Sequence, residues 1–343
     1  MDWSPNLTKD APLALDPLVA CLKAAGEPSR LRILALLAAS DLTVKDLTAI
    51  LGQSQPRISR HLKLLVEAGV VRRYPEGAWA YYRLAEDDAA GALGATLVQR
   101  LDTADSVLSR DRQRLEAVKR AHAETAASYF AANAASWDRL RSLHVPEDAV
   151  EAAIRRAVGT RPFGSFLDLG TGTGRMLELF ADLYERGVGI DASQPMLAVA
   201  RANLDNNGVT NVQVRHGDVY ALAVPHGSFD VVAIHQVLHF LEDPARAVAE
   251  AARAVRPGGR LLVVDFAPHD LEFLRAEHAH RRLGFSHEQV EGWLRSAGLD
   301  VVRIEDLAPP AGSDGQLTVT LWLARDPRFE VAGDKTRRLE TTA

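Results

Sequence analysis

The residues best placed to do chemistry lie in the second half of the chain, directly after short apolar runs. The run SFLDL leads into the turn GTGTG, whose three glycines allow the backbone to bend sharply and to approach a ligand closely. About 17 residues further on, Asp191 follows the apolar run GVGI, where its carboxylate could hold two ribose hydroxyls. This pattern predicts a nucleotide-type binding fold.

A parallel sheet would position these residues. From Phe163 onward, short β-branched runs alternate with helical stretches, which is typical of a parallel α/β sheet. A third strand, NVQVRHGDVYAL, is expected to end at Asp218, and a fourth, FDVVAIHQVLHFL, at His235. A fifth, RLLVVDFAP, follows a predicted turn RPGG. The candidate polar residues therefore stand at the carboxyl ends of strands, where open α/β sheets bind their ligands.

A dinucleotide site is disfavoured, because the fingerprint G-x-G-x-x-G requires glycine where this chain has Arg175. The run is instead DLGTGTG, with Asp168 two residues before the first glycine. Together with Asp191, Asp218 and the RPGG turn, it resembles class I S-adenosylmethionine-dependent methyltransferases of the UbiE-like type, over roughly residues 125–325. The resemblance implies a Rossmann-like, seven-stranded sheet that ends in an antiparallel hairpin near VVRIEDLA and LTVTLWLARD.

The same resemblance implies S-adenosylmethionine or S-adenosylhomocysteine as the cofactor, with no metal. The loop Asp168–Gly174 would hold the methionine part, Asp191 the ribose, and Asp218 with Val219 the adenine, while His235 would lie near the acceptor pocket. The residues expected to bind the cofactor are Asp168, Gly170, Thr171, Gly172, Gly174, Asp191, Ala192, Met196, Asp218, Val219 and His235.

The class of methyl acceptor is narrowed by two absences from the sequence. A motif of the D/N-P-P-Y/F type, carried by DNA amino-methyltransferases, does not follow the fourth strand, and arsenite methyltransferases need more cysteines than the single Cys21. Transfer to oxygen or carbon requires positioning and one base, for which His235 and His239 are the candidates. The stretch FLRAEHAHRRLGFS carries two further candidate bases, His278 and His280. Its arginines, Arg281 and Arg282, could contact an anionic acceptor; the alternative is that the stretch is a charged helix bordering the pocket.

The first 90 residues show a different pattern, of short helices followed by a strand pair. Ser29 is expected to cap a helix that buries Leu31 and Leu34, and a second short helix ends at Gly52. The stretch QSQPRISRHLKLLVEAG, capped by Ser54, has apolar residues at helical spacing on one face. A hairpin turning at PEG follows it. This arrangement predicts a winged helix-turn-helix.

The opposite face of the third helix is polar and basic. Between Gln53 and Arg83 there are six Lys/Arg against two Glu, a local balance of +4 within a chain of net charge −5. Such a helix can enter the major groove of DNA, with hairpin arginines near phosphates. The residues expected to contact DNA are Ser54, Gln55, Arg57, Ser59, Arg60, Lys63, Arg72, Arg73 and Arg83. The alternative is a solvated basic face used for protein contacts.

Over roughly residues 16–90 the chain resembles the ArsR/SmtB family of bacterial repressors, in the stretches GEPSRLRILALL, LTVKDLTAILG and SQPRISRHLKLLVEAGVV and in the hairpin ending YYRL. The resemblance implies a homodimer on a palindromic operator, with Ser54, Gln55, Ser59 and Arg60 near the bases. Metal-sensing members carry cysteines where this chain reads LTVKDLT, so metal sensing by that route has no ligands. His61 is interpreted as a satisfied residue at the helix–wing junction.

The middle of the chain is Ala- and Arg-rich and is predicted to be helical. Leu97, Leu101, Ala104, Leu108, Leu115 and Val118 are spaced as a heptad seam interrupted at Asp111. We interpret it as a dimerisation helix; the alternative is a helix packed within one subunit. A later helix carries Tyr129 and Trp137, either as core or as a lid.

Length and composition agree with a multidomain protein. The 343 residues, 47% hydrophobic and 25% charged, suffice for two cores. The expected segments are an α+β winged helix-turn-helix (1–90), a helical connector (91–124), the α/β methyltransferase fold (125–330) and a disordered tail (331–343). The sequence shows no signal peptide and no membrane span, and its lone cysteine suits the cytoplasm.

Two functional hypotheses follow. In the first, an ArsR-type transcriptional regulator senses S-adenosylmethionine or S-adenosylhomocysteine through its methyltransferase domain and also transfers methyl groups. In the second, the chain is a small-molecule methyltransferase whose DNA-binding module regulates its own operon independently of cofactor.

Overall fold

A computed structural model describes residues 12–76, 79–85, 88–134, 147–309 and 317–328. The chain divides into two units, Met1–Thr125 and Ala126–Ala343. The predicted disordered tail at 331–343, the last residue of the PEG turn and Trp137 lie outside the described residues.

The described residues of the first unit form six helices and a three-stranded sheet. Its elements in order are α1 (Leu15–Ala25), α2 (Pro28–Leu37), β1 (Leu42–Thr43), α3 (Val44–Leu51), α4 (Gln55–Glu67), β2 (Val71–Glu76), β3 (Trp79–Leu84), α5 (Ala89–Gln99) and α6 (Ser106–Asn133), the last of which extends to residues of the second unit. The strand order is β1-β3-β2, and β2 and β3 form the predicted antiparallel wing.

The caps of these helices differ from expectation at one position. Glu27, not Ser29, caps α2: its side chain accepts a hydrogen bond from the Arg30 backbone. Ser29 is buried, and its hydroxyl accepts a hydrogen bond from Gln53. The sequence did not show which residue caps α2, because Glu is a less common cap than Ser and proline occupies the first helical position.

The predicted heptad seam is not one helix. Helix α5 ends at Gln99 and α6 begins at Ser106, so Leu101 and Ala104 lie in the break between them. Leu115 is buried in the core of the first unit, with Val118 packed against that core. Asp111, the apparent gap in the seam, is 3% exposed and forms a bidentate ion pair with Arg32 of α2, at 2.6 and 2.7 Å. These contacts match the alternative of a helix packed within one subunit.

The second unit is built on a seven-stranded sheet. Its elements are α7 (Glu147–Val158), β4 (Phe163–Leu169), α8 (Arg175–Leu179), β5 (Tyr184–Asp191), α9 (Gln194–Asn206), β6 (Val212–His216), β7 (Phe229–His235), α10 (Pro244–Ala254), β8 (Val255–Phe266), α11 (Phe273–Glu277), α12 (His287–Ser296), β9 (Asp300–Leu307) and β10 (Val319–Arg325). The strand order is β6-β5-β4-β7-β8-β10-β9. The last two strands pair antiparallel, as the resemblance implied, and β10 inserts between β8 and β9.

The sheet is covered on both faces, since its residues divide between two apolar clusters. The central strands β4, β7 and β8 therefore read as continuous apolar runs. The RPGG segment is part of β8 rather than a separate turn: Val255 pairs with Phe229 and Arg260 with Val231, so the four residues between bulge out of the ladder. Gly258 has φ +71°, a conformation that favours glycine.

Candidate functional site

Asp191, at the end of β5, is the anchor of the glycine-rich loop. Its Oδ2 accepts a hydrogen bond from the Gly172 backbone at 2.8 Å, and its Oδ1 accepts one from the Ser193 backbone at 2.7 Å. Burial raises the pKa of the Asp191 carboxyl, which these backbone donors partly oppose. A carboxylate has about four acceptor positions, so two hydrogen bonds leave room for two ligand hydroxyls.

The loop between β4 and α8 has a backbone only glycine tolerates well. Gly170, Gly172 and Gly174 have φ of +69°, +54° and +91°. A Cβ on Gly170 would lie 2.4 Å from Val237, so the loop packs directly against the chain that follows β7. Asp168 is buried, and its Oδ2 accepts a hydrogen bond from the Thr171 hydroxyl at 2.6 Å. The loop is thus held by packing and hydrogen bonds within the chain itself.

The remaining residues predicted to bind cofactor differ in accessibility. Asp218 is exposed, and its Oδ1 accepts a hydrogen bond from the Tyr220 backbone, so it stabilises its own turn. Ala192 is exposed and Val219 half-buried. Met196 is buried in the first turn of α9, which gives its side chain a packing role.

A strained residue follows His235 at the end of β7. Gln236 has φ +53° and is 8% exposed, and its backbone N–H donates to the Val264 carbonyl at 2.7 Å. Non-glycine residues with positive φ are uncommon and concentrate at functional sites. Sequence reasoning missed Gln236, because nothing in its residue type announces this conformation.

His239, one of the two candidate bases, pairs with a buried aspartate. Its Nδ1 lies 2.7 Å from Oδ1 of Asp265, which ends β8, and both side chains are almost fully buried. Its backbone carbonyl accepts hydrogen bonds from the backbone N–H groups of Arg281 and Arg282. Asp265 was missed from the sequence, although the strand-end position that singled out Asp191 applies equally to the run RLLVVDF.

A cluster of histidine and phenylalanine rings surrounds this pair. His239 lies 4.2 Å from His280 and 4.8 Å from Phe266, measured between ring centroids. His269, also missed from the sequence, packs on Phe266; burial, with His239 nearby, lowers its pKa to about 4. The Tyr129 hydroxyl lies 2.7 Å from Nδ1 of His278. We call the rings of His239, Phe266, His269, His280, His278 and Tyr129 the histidine cluster.

Of the two alternatives for the stretch with Arg281 and Arg282, contact with an anionic acceptor is not favoured by the surroundings of these arginines. Arg281 forms an ion pair with Glu242 at 2.7 Å, with both side chains about one-eighth exposed. Arg282 is 3% exposed.

Ala279, between His278 and His280, has φ +56°. This left-handed conformation costs an alanine roughly 1 kcal/mol that glycine avoids. We therefore expect Ala279→Gly to leave the melting temperature unchanged or to raise it by a few degrees, and Ala279→Val to lower it. Thermal unfolding by calorimetry tests this, and a clear loss of stability in the glycine variant would contradict it.

The predicted recognition face lies on α4. Ile58, Leu62 and Leu65 are fully buried, which confirms the predicted core face. All six predicted DNA-contacting residues of this segment are exposed: Ser54, Gln55, Arg57, Ser59, Arg60 and Lys63. Ser54 occupies the N-cap position without a side-chain cap bond.

The wing arginines are not equivalent. Arg73 is exposed, whereas Arg72 forms an ion pair with Asp88 at 2.7 Å. Arg83 forms a bidentate pair with Asp41, at 2.5 and 2.8 Å, and is 19% exposed. The prediction that Arg83 contacts phosphates therefore conflicts with its geometry. Asp41 lies 42 residues away, a pairing that a local charge count cannot reveal.

His61 is buried on the inner side of α4. Its Nδ1 lies 3.7 Å from the Glu27 carboxylate, and the Arg57 Nε approaches its Nε2 at 3.5 Å. Burial lowers the pKa of His61 despite the nearby carboxylate. The polar contacts of His61 within the described residues are thus with Glu27, the N-cap of α2, and with Arg57 of α4, and its Nδ1 has no hydrogen-bond partner there.

Family models match both parts of the chain. Residues 27–73 match the model described as bacterial regulatory protein, arsR family, and residues 167–263 match the model of a methyltransferase domain. The chain thus combines an ArsR-type helix-turn-helix domain with a methyltransferase domain of Rossmann-like fold. The UbiE-like resemblance is confirmed by relatives of that name.

Three relatives illustrate the match. An uncharacterized 37.1 kDa protein in transposon TN4556 of Streptomyces fradiae is 40% identical over 36% of this chain and 38% of its own length. The uncharacterized methyltransferase YcgJ of Bacillus subtilis is 35% identical over 30% and 42%. The ubiquinone/menaquinone biosynthesis C-methyltransferase UbiE of Vibrio parahaemolyticus is 36% identical over 33% and 46%. The chain therefore spans less than half the length of each of these relatives.

The crystal structure of YcgJ gives a TM-score of 0.44 at 22% identity, covering 52% of this chain and 98% of YcgJ. Among the residues that the structure describes, no group of His, Cys, Asp and Glu is arranged to hold a metal ion. None of the helices within the described ranges is long and apolar enough to cross a membrane.

Proposed function

We propose that the chain is a DNA-binding transcriptional regulator that senses S-adenosylmethionine or S-adenosylhomocysteine and also transfers methyl groups. The observation that carries this proposal is the pairing of Asp191 with Gly172, which shapes a cofactor loop and leaves acceptor positions for a ribose. The relatives named as methyltransferases support the ligand class. The exposed face of α4 supports DNA as the second ligand.

The residues present fit the cofactor. Asp191 would accept hydrogen bonds from the ribose hydroxyls, the loop Asp168–Gly174 would lie along the methionine part, and Asp218 with Val219 would border the adenine. The bound cofactor would supply a methyl group on a sulfonium. His239, or His235 at the end of β7, would accept the proton that an acceptor releases.

Regulation requires that the ligand bind one form of the protein better than another. We propose that cofactor occupancy changes the geometry of a homodimer on a palindromic operator in the cytoplasm. LTVKDLT offers no cysteine ligands for a metal signal. In this proposal the signal is the ligand of the methyltransferase domain. The alternative is an active small-molecule methyltransferase whose DNA module acts independently of cofactor.

A fluorescence-anisotropy titration of the gene's own upstream DNA separates these hypotheses. It is run at fixed salt, without ligand, with S-adenosylmethionine and with S-adenosylhomocysteine, because phosphate contacts make affinity strongly salt-dependent. A change of about tenfold between conditions, about 1.4 kcal/mol of coupling, would support sensing. Tight DNA binding that neither ligand changes would support the alternative, a methyltransferase whose DNA module acts independently of cofactor.

The recognition face gives a separate prediction. Arg60→Ala is expected to weaken binding to this DNA about tenfold, since a base or phosphate contact contributes roughly 1–3 kcal/mol. Arg186→Ala, which removes an exposed arginine of the methyltransferase domain, is the control and should leave DNA affinity unchanged. Equal effects of the two substitutions would indicate only general charge attraction.

A further inference from the structure

The histidine cluster contains an Asp–His pair set back from the cofactor loop. Strand β4, which leads into that loop, lies beside β7, and β7 lies beside β8. Neighbouring strands are about 4.8 Å apart, so Asp265 at the end of β8 stands two strands, about 10 Å, from the loop. The chain after β7 bridges this gap: Val237 packs on Gly170, and His239 follows two residues later.

Resting on the function proposed above, we propose that Asp265 is a positioning residue that holds His239 as the proton acceptor for a hydroxyl group on an aromatic methyl acceptor. The acceptor ring would bind against the histidine cluster.

The orientation of His239 is set at several points. Asp265 Oδ1 engages Nδ1 of the ring, and Oδ2 of the same carboxylate lies 3.4 Å from the His239 backbone nitrogen. When Nδ1 donates to a carboxylate, the unprotonated ring nitrogen is Nε2, which is then the atom able to accept a proton. No hydrogen bond to this Nε2 occurs among the described residues. The carboxylate would also stabilise the imidazolium formed when a proton arrives.

The surroundings indicate the acceptor's chemistry. Phe266, His280 and Phe240 lie within about 5 Å of His239 by ring centroids, and aromatic rings associate favourably with another ring by stacking or edge contacts. His269 Nε2 is buried and has no hydrogen-bond partner within the described part of the chain. Buried polar atoms are nearly always hydrogen-bonded, so a polar group on a ligand would supply the missing partner.

The hydroxyl proton passes to Nε2 of His239 as the hydroxyl oxygen forms a bond to the methyl carbon of S-adenosylmethionine. The bond between that carbon and sulfur breaks, and its electron pair stays on sulfur. The products are a methyl ether and S-adenosylhomocysteine, and the imidazolium returns its proton to water.

The test uses 4-nitrophenol, whose phenolate is yellow and whose neutral form is nearly colourless, so proton transfer is read without turnover. The full chain is saturated with S-adenosylhomocysteine at a pH where the free phenol is mostly neutral. Asp265→Asn and His239→Gln are compared with Asp306→Asn. The control removes the carboxylate of an exposed pair, in which His287 Nε2 lies 2.9 Å from Asp306. Equilibrium dialysis measures S-adenosylhomocysteine binding in each protein.

The wild-type protein and Asp306→Asn should show the bound phenolate band. Asp265→Asn should reduce it about tenfold, because a charge-assisted hydrogen bond to the imidazolium becomes a weaker neutral one, and His239→Gln should abolish it. Asp265→Asn could lose S-adenosylhomocysteine binding because it misfolds. In that case the phenolate band of His239→Gln, which keeps the Asp265 carboxylate, tests the proposal instead.

Other outcomes overturn the proposals separately. A wild-type protein that binds S-adenosylhomocysteine but shows no phenolate contradicts the inference and leaves the proposed function standing. A full band in Asp265→Asn refutes the positioning role. Failure of the wild-type chain to bind S-adenosylhomocysteine at all contradicts the proposed function itself.

Discussion

Asp191→Ala is expected to weaken binding of S-adenosylhomocysteine by about 100-fold or more. Two ribose hydroxyls would each lose a hydrogen bond to a charged group, worth about 1.5–3 kcal/mol, and about 3 kcal/mol corresponds to roughly two orders of magnitude. The substitution also removes the acceptor of the Gly172 backbone N–H, which loosens the loop. Isothermal titration calorimetry measures the affinity.

The pH dependence gives this prediction a second readout. Burial raises the pKa of Asp191, and only the carboxylate form can accept from both hydroxyls. Affinity should therefore fall as the pH is lowered, starting at a higher pH than for an ordinary aspartate, and Asp191→Asn should lack this dependence. Asp205→Asn, an exposed change on α9, is the control. Affinity of Asp191→Ala within threefold of the wild type would show that the ligand binds elsewhere.

Asp111→Ala should lower the free energy of unfolding of the first unit by about 3 kcal/mol. Removing one partner of a buried ion pair leaves the other charge uncompensated, which costs about 3–5 kcal/mol. We expect the lower end of this range of free energies because the Arg32 side chain is 22% exposed. Hydrogen exchange of α2 and α6 peptides in the full chain separates this loss from unfolding of the second unit.

A matched pair of variants tests the cause. Arg72→Ala breaks the more exposed pair with Asp88 and should cost no more than about 1 kcal/mol. Arg32→Met combined with Asp111→Leu should recover much of the loss, because apolar residues of similar volume often replace a buried pair without penalty. If Asp111→Ala and Arg72→Ala have equal effects, burial of the Asp111 pair does not matter.

Local patterns predicted the scaffold of both domains well. The spacing of Ile58, Leu62 and Leu65 identified the buried face of α4, since helical periodicity is a property of adjacent turns. The glycines before α8 and the aspartate ending β5 marked the edge where the loop and Asp191 meet. These signals are short-range, or follow from the rule that carboxyl ends of parallel strands share one edge.

Contacts between distant residues were not predictable in the same way. The pairing of His239 with Asp265 depends on the register of β7 against β8 and on the path of the chain after β7. Asp111 looked like a defect in a heptad because its partner, Arg32, lies 79 residues earlier. Charge counting predicted a DNA contact for Arg83 because its ion-pair partner, Asp41, lies 42 residues away and does not enter a local count. Periodicity reports which face is apolar, not which partner it meets.

The position of β10 between β8 and β9 sets an order of events during synthesis. Val255–Phe266 cannot gain its second neighbour until Val319–Arg325 has left the ribosome. Until then, β8, which ends in Asp265, is an unpaired sheet edge, the kind of surface that invites wrong pairing. The first unit, Met1–Thr125, leaves the ribosome long before this, so we expect nascent chains to become competent for DNA before they acquire a finished methyltransferase sheet.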